Sequence, residues 1–388
     1  SVGSRINFSD VARETSRMPS AKNEVRMLDR MSDIGDGRNY LLNLDKNERI
    51  SPFHQKHIEN IFASISSVEL SRYPDQSPLY TKLSEFLKIQ TGNILLTVGG
   101  DSGLKHIFET FVEKGDEVVT VFPTYAMISV YSSMFGADLK CIEYGEQLEL
   151  TEADLLSSFS YDTKLVVIPN PNQPTGTLLA EEMISAMLKL ARKFDFVLVL
   201  DEAYIEFADE QSFATQATKN KNLLVLRTFS KAWGLAGVRL GYITGETSMI
   251  GELKKVKTLL DINILSIKSA CYFLERYDIV DHYIKEVKHS REFVRKELES
   301  AGIDVITGAT NFVHLKVPKG TSPVKVADKL LARGIKVRVA GGTASVLDGC
   351  IRITLGVESD MRKFLDEFFF LISAEDLLLE SNDESSYE

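Results

Sequence analysis

Four short apolar runs punctuate the middle of the chain: Glu117–Val121, Lys164–Ile168, Phe196–Leu200 and Leu223–Leu226. Helical periods separate them. Between the second and third, Glu181 to Phe194 sets Met183, Ile184, Met187, Leu188 and Ala191 on one helical face. Runs that are apolar on both faces belong to central strands of a parallel sheet. Strands alternating with helices therefore predict an α/β fold, a mostly parallel sheet covered by helices. The last hundred residues change character. Helical segments near Ile279–Ser300 and Val324–Arg333 interleave with strand candidates Phe312–Val317 and Cys350–Leu355, which predicts a smaller α/β layer.

The charge balance narrows the partners. Against 55 Asp and Glu stand 45 Lys and Arg, a formal net charge of -10 over 388 residues. A general nucleic-acid binder carries a basic face, so the sign argues against one while leaving room for local basic pockets. Cys141, Cys271 and Cys350 form no CxxC pair, and the six histidines are scattered; neither a disulfide framework nor a metal site is expected, and a reducing cytoplasm fits. No apolar stretch approaches the ~20 residues of a membrane helix; the run Phe368–Ile372 reads as core. No basic-then-apolar leader follows Ser1. The absence of an initiator Met leaves room for an upstream segment. Residues 1–40 read as a polar arm, and the acidic stretch 374–388 as a disordered tail.

In open α/β sheets, ligands collect beyond the carboxyl ends of strands. One strand here runs into Pro169-Asn170-Pro171-Asn172-Gln173-Pro174-Thr175-Gly176, the next into Asp201-Glu202-Ala203-Tyr204, and the third into Arg227-Thr228-Phe229-Ser230-Lys231. Taken singly, each is an ordinary loop, cap or surface charge. Lys231, however, follows an apolar strand and precedes a glycine-rich turn carrying Trp233 and Arg239. Desolvation and a nearby cation both favour a neutral, nucleophilic amine.

These residue types share the chemistry of pyridoxal phosphate, which needs a lysine for its aldehyde, an acid for its pyridinium nitrogen and an anion site for its phosphate. Lys231 and Asp201 are the candidates for the first two. Arg239, with the hydroxyls of Thr228 and Ser230, suits the phosphate, and Tyr204 the phenolic oxygen. Upstream, Gly99-Gly100-Asp101-Ser102-Gly103 leads into the helical pattern Leu104–Val112; backbone N–H groups at such a start attract an anion.

In this order of motifs the chain resembles the fold-type I pyridoxal-phosphate enzymes, specifically the class I/II aminotransferases and their histidinol-phosphate aminotransferase branch. The resemblance runs from Leu44 to Ile372 through Asn47-Glu48, Arg72-Tyr73-Pro74-Asp75, the Gly99–Gly103 cluster, Pro123-Thr124-Tyr125, the loop after Ile168, Asp201–Tyr204, Ser230–Tyr242, Asn311-Phe312 and Cys350–Thr354. It implies a large domain with a seven-stranded, mostly parallel sheet over 41–270, a small C-terminal domain over 271–373, and a segment 41–50 that joins the small domain. It implies that Gly100, Asp101 and Ser102 contact the cofactor and that Tyr125 stacks on its ring. Tyr73 would reach the neighbouring subunit's cofactor phosphate, making the active unit a homodimer with composite sites. Arg352, and Arg338 with it, would hold the substrate's anionic group.

Two positions depart from the family pattern. Where relatives place an Asn before Pro-Thr-Gly to bond the cofactor's phenolic oxygen, this chain has Gln173, with Asn172 as the alternative. The common Asn-Glu-Asn-Pro is Asn47-Glu48-Arg49-Ile50; Arg49 is then a candidate anion-binding residue, and the change argues against histidinol phosphate itself. The expected reaction is transamination of a small phosphorylated amino acid or amine, with a 2-oxo acid as acceptor and Lys231 as base. Decarboxylation of a phosphorylated amino acid is the alternative.

Overall fold

The computed structural model describes residues 21–26, 28, 42–340 and 347–373. The expected arm lies mostly, and the acidic tail wholly, outside the described residues; within the arm, Asn23–Arg26 form one helical turn. A two-residue strand, β1 (Leu42–Asn43), comes first. Seven strands follow: β2 (Ile94–Thr97), β3 (Glu117–Phe122), β4 (Asp138–Glu143), β5 (Thr163–Pro169), β6 (Val197–Asp201), β7 (Leu223–Thr228) and β8 (Gly241–Thr244). They form one sheet in the order β2-β8-β7-β6-β5-β3-β4. Neighbours are parallel except at β8, which runs antiparallel to both β2 and β7.

Burial on both faces explains the unbroken apolar runs. In β5, Leu165 and Val167 pack into the core on one side, Val166 and Ile168 into the core on the other. In β7 the same alternation sends Leu224 and Leu226 one way, Leu223 and Val225 the other. On one face lies the helix Glu181–Phe194, which buries Ile184, Met187, Leu188 and Ala191; full burial of each large side chain contributes about 1.5–3 kcal/mol. Acids in its first turn and bases in its last complement the helix dipole. The edge strand β4 buries only Ile142 fully, which is why no apolar run marks it.

The remaining strands are β9 (Val305–Ile306), β10 (Phe312–Lys316), β11 (Ile335–Lys336), β12 (Arg338–Val339) and β13 (Cys350–Thr354). An antiparallel sheet runs β12-β13-β10-β9, and β1 pairs in parallel with β11. The helices Tyr277–Ser300, Pro323–Ala332 and Glu358–Ser373 accompany these strands. The last contains the run read as core. Phe368 and Leu371 are buried there, but Phe370 faces solvent, because a helix turns one residue in the run outward. No described helix is long and apolar enough to cross a membrane.

Candidate active site

The carboxyl ends of β5, β6 and β7 open into a cavity of about 590 Å³. Its far wall is the small antiparallel sheet. Gln173 from the loop after β5, Asp201 at the end of β6 with Tyr204 beyond it, and Thr228 at the end of β7 with Ser230 and Lys231 beyond it line the near side. Because β8 is antiparallel, its first residue, Gly241, is level with Thr228. A Cβ on Gly241 would lie 2.8 Å from the carbonyl of Arg227 and 2.8 Å from the backbone of Gly99. Glycine is required there so that the helix Gly99–Phe111 can begin against the sheet. That helix presents Gly100 and Asp101 to the cavity, where Arg239 also lies. Arg239 itself donates to the carbonyl of Ala236 at 3.1 Å.

Electrostatics within the cavity are uneven. Asp201 is buried and accepts one backbone N–H, from Ala203 at 3.1 Å. Burial pushes its carboxyl up to about 7; the Ala203 N–H opposes this, Asp101 and Glu202 add to it, and Lys231 opposes it. Tyr125 donates to Asp101 at 2.5 Å, and burial beside that carboxylate holds its phenol well above the ordinary value. Lys231 Nζ donates to the carbonyl of Lys46 at 3.1 Å and lies 5.5 Å from the Tyr204 ring centroid. The Tyr204 hydroxyl accepts from the side-chain amide of Asn47 at 2.9 Å.

Beneath the floor is a buried ion network. Arg227 reaches Glu206 at 2.7 Å, Ser212 at 2.8 Å and Glu202 at 3.4 Å, while Trp233 donates to Glu206 at 3.1 Å. Burial pulls the Arg227 guanidinium down, but Glu206, Tyr242 and Glu202 more than reverse this and keep it charged. The network ties β7 to the segment after β6, through Arg227 next to Thr228 and Glu202 next to Asp201.

On the far wall, Arg338 and Arg352 are register partners across β12 and β13, and both line the cavity. Arg352 is buried and donates to the carbonyl of Asp45 at 2.8 Å. Burial lowers its pKa, Tyr204 raises it, Arg338 lowers it and Asp45 raises it.

Three residues expected in this chain's own site lie outside the cavity lining, as does Tyr73, expected at a neighbouring subunit's site. Asn172 is fully buried, and its amide is spent on the scaffold: it donates to Pro123 and Thr175 and accepts from Thr124. Between the two amides, Gln173 is the one at the cavity. Ser102 is hydrogen-bonded with His106 one turn along its helix. Tyr73 is 82% exposed on the outer surface. Arg49 lies between aromatic rings, 4.2 Å from the centroid of Phe53 and 3.9 Å from that of Tyr283, and donates to the carbonyl of Ser51. Its guanidinium thus packs outside the cavity lining, with Nη1 buried and unpartnered among the described residues, and burial lowers its pKa.

Sequence reasoning assigned no role to Asp45, Lys46, Asn47 or His314, all of which line the cavity. Only the pair Asn47-Glu48 gave a signal, as a motif without a function. Asn47 adopts a left-handed backbone at φ 56°, which asparagine tolerates better than most residues. No group of three or more His, Cys, Asp or Glu side chains suited to a metal occurs among the described residues.

The model of the family "Aminotransferase class I and II" matches residues 42–368. A histidinol-phosphate aminotransferase from Bacteroides thetaiotaomicron is 33% identical over 300 residues, covering 76% of this chain and 85% of that protein. The enzyme of that name from Pyrococcus furiosus is 32% identical over 335 residues, covering 85% of this chain and 93% of its own length. Among solved structures, the histidinol-phosphate aminotransferase from Sinorhizobium meliloti in complex with pyridoxal-5'-phosphate superposes with a TM-score of 0.82. It is 24% identical and covers 92% of this chain and 99% of its own. The aspartate aminotransferase of Thermus thermophilus shares the fold at a TM-score of 0.74. The chain belongs to the class I and II aminotransferases, enzymes of fold type I that work with pyridoxal phosphate.

Proposed function

We propose that this enzyme transfers the amino group of a small phosphorylated amine of the L-histidinol phosphate type to a 2-oxo acid. The observation that carries the reading is the two-walled cavity, with a lysine and a buried acid on the large sheet facing a pair of arginines on the small one. The names of the relatives support the substrate class. Arg49 lies outside the lining, so its charge does not itself argue against histidinol phosphate.

The residues present fit the cofactor. A buried carboxyl with one backbone donor is a site that calls for a cation, and Asp201 would meet the protonated ring nitrogen. The start of the helix Gly99–Phe111, with Thr228, Ser230 and Arg239, would hold the phosphate, and Ser102 would act there through the same helix turn. Tyr125 would cover the ring, while Tyr204 and Gln173 would serve the phenolic oxygen. When bound, pyridoxal phosphate supplies an aldehyde for attachment to amines and a ring that accepts electrons.

The chain's own residues do the rest. Lys231 takes up the proton from the substrate's amine-bearing carbon; its contact with the Lys46 carbonyl keeps the amine at the cavity. Asn47 orients the Tyr204 hydroxyl. Arg352 and Arg338 hold the distal anion, Arg352 through a guanidinium fixed by Asp45. Residues 41–270 would form the cofactor domain and 271–373 the small one, with 41–50 attached to the latter, consistent with the pairing of β1 and β11. The boundary falls within the helix Ile264–Leu274. The exposed Tyr73 suits a contact with a second subunit, which supports a homodimer with composite sites as the working unit.

The test is to supply the purified holoenzyme with L-histidinol phosphate and 2-oxoglutarate and measure glutamate. Glutamate formed in step with loss of the amine supports the reading. Release of carbon dioxide from a phosphorylated amino acid, without glutamate, would overturn it.

A further inference from the structure

Three adjacent strands of the small sheet carry a continuous row of side chains. Arg338 on β12 is in register with Arg352 on β13, and Arg352 with His314 on β10. Register partners in antiparallel strands stand side by side on one face, with Cβ atoms about 4.5–5.5 Å apart. All three line the cavity. The two arginines already have a proposed task. His314 does not.

His314 is 1% exposed, and its Nε2 is buried without a hydrogen-bond partner among the described residues. Its ring meets Phe312 edge-on at 5.8 Å, and the guanidinium of Arg352 lies over Phe312 at 5.3 Å. A phenylalanine would fill this place without leaving a polar nitrogen unsatisfied, a cost of about 1–3 kcal/mol. Burial first, and then the charge of Arg352, push the imidazole down to about 3, so at neutral pH it adds no third positive charge. A neutral imidazole offers one N–H donor and one acceptor.

The shape of the anion decides what such a donor is for. A carboxylate presents two oxygens, which one guanidinium fork satisfies. A phosphate ester presents three free oxygens, leaving one for a further donor beside the fork. His314 stands beside Arg352, on the opposite side from Arg338.

We infer that His314 is a specificity-determining residue, whose neutral imidazole hydrogen-bonds a phosphate-type anion held by Arg352 and Arg338. This rests on the reading that the arginine pair receives the substrate's phosphate.

The experiment compares wild-type holoenzyme with His314→Phe, His314→Gln and Arg352→Lys, using L-histidinol phosphate and L-histidinol as donors and inorganic phosphate as a competitor. With His314→Phe, KM for L-histidinol phosphate is expected to rise about 10- to 100-fold, with kcat within about twofold and KM for L-histidinol unchanged. Inhibition by inorganic phosphate should weaken in parallel. His314→Gln, which restores a donor, should recover part of the loss; folding of each variant is checked by circular dichroism. If Arg352→Lys loses the preference for the phosphorylated donor while both His314 variants keep it, the role of His314 is overturned and the reading of the arginine pair stands. Equal effects of His314→Phe on both donors also overturn the role. If the wild type itself does not distinguish the two donors and inorganic phosphate does not compete, both readings fail together.

Discussion

Lys231 Nζ donates to the backbone carbonyl of Lys46 at 3.1 Å, across 185 residues of sequence. The neighbouring residues of the same strip reach two other parts of the cavity: Asp45 accepts from Arg352 at 2.8 Å and Asn47 donates to Tyr204 at 2.9 Å. Residues 45–47 thus connect the lysine, the tyrosine and the far-wall arginine through consecutive peptide units. Replacing Asn47 by Gly, which tolerates its left-handed backbone at φ 56°, should lower kcat by about 10-fold, as one hydrogen bond orienting Tyr204 is lost, with a smaller fall in melting temperature than Asn47→Ala. Steady-state kinetics with a thermal melt decides between an orienting and a purely structural role.

Lys231→Ala should abolish amino transfer, with a loss of at least about 10²–10⁴-fold expected from removal of the base alone. The variant should fold, since among the described residues the Lys231 side chain makes a single hydrogen bond, to the Lys46 carbonyl. A stopped assay for glutamate, read beside a circular dichroism spectrum, checks both halves of the expectation. Full activity in this variant would falsify the assignment.

The buried carboxyl of Asp201 has a native pKa of about 7, above its ordinary 3.8. A carboxyl raised in the folded state binds its proton more tightly there than in the unfolded chain. Its contribution to stability is complete below about 4 and is lost as pH rises through about 7, a swing of roughly a few kcal/mol. Cofactor-free Asp201→Asn should therefore melt higher than the cofactor-free wild type at pH 8 and about equally at pH 4. A cation supplied at that carboxylate reverses the sign, so the holoenzyme should lose both stability and activity through the same substitution.

Arg227→Met strands Glu202 and Glu206 in the interior without their cation. Removing one partner from a buried ionic network costs about 3–5 kcal/mol, and the midpoint of urea unfolding should fall accordingly. Arg227→Lys keeps the charge but not the fork that reaches Glu206, Ser212 and Glu202, so an intermediate loss is expected. Equal midpoints for all three proteins would remove the network from the account of what holds the cavity floor.

Much of this architecture was legible because burial on both faces leaves a strong mark. The runs at β3, β5, β6 and β7 were apparent as strands, and the residues at their ends led to the cavity. Strand β4 was not, since an edge strand with one fully buried side chain has no apolar run to read. Position 49 was harder to read for a different reason: a guanidinium written in sequence carries a charge but no direction, and here it packs against two aromatic rings outside the cavity lining. His314 was passed over as one scattered histidine. Its meaning comes from cross-strand register, which aligns it with arginines 24 and 38 residues away in sequence. Such lateral order has no linear signature.

The reversed direction of β8 has a mechanical consequence. A parallel strand after β7 would need a covering crossover of a dozen or more residues, and its start would lie at the far edge of the sheet. Running the other way, β8 begins at the crevice where β7 ends. The loop carrying Lys231 and Arg239 is thereby tethered at both ends to the same rim, like a handle fixed at two rivets. Inserting a residue between Lys231 and Arg239 would alter the spacing of the amine and the guanidinium directly, whereas one inserted beyond Thr244 would leave it untouched. In this loop, length itself is part of the active-site geometry.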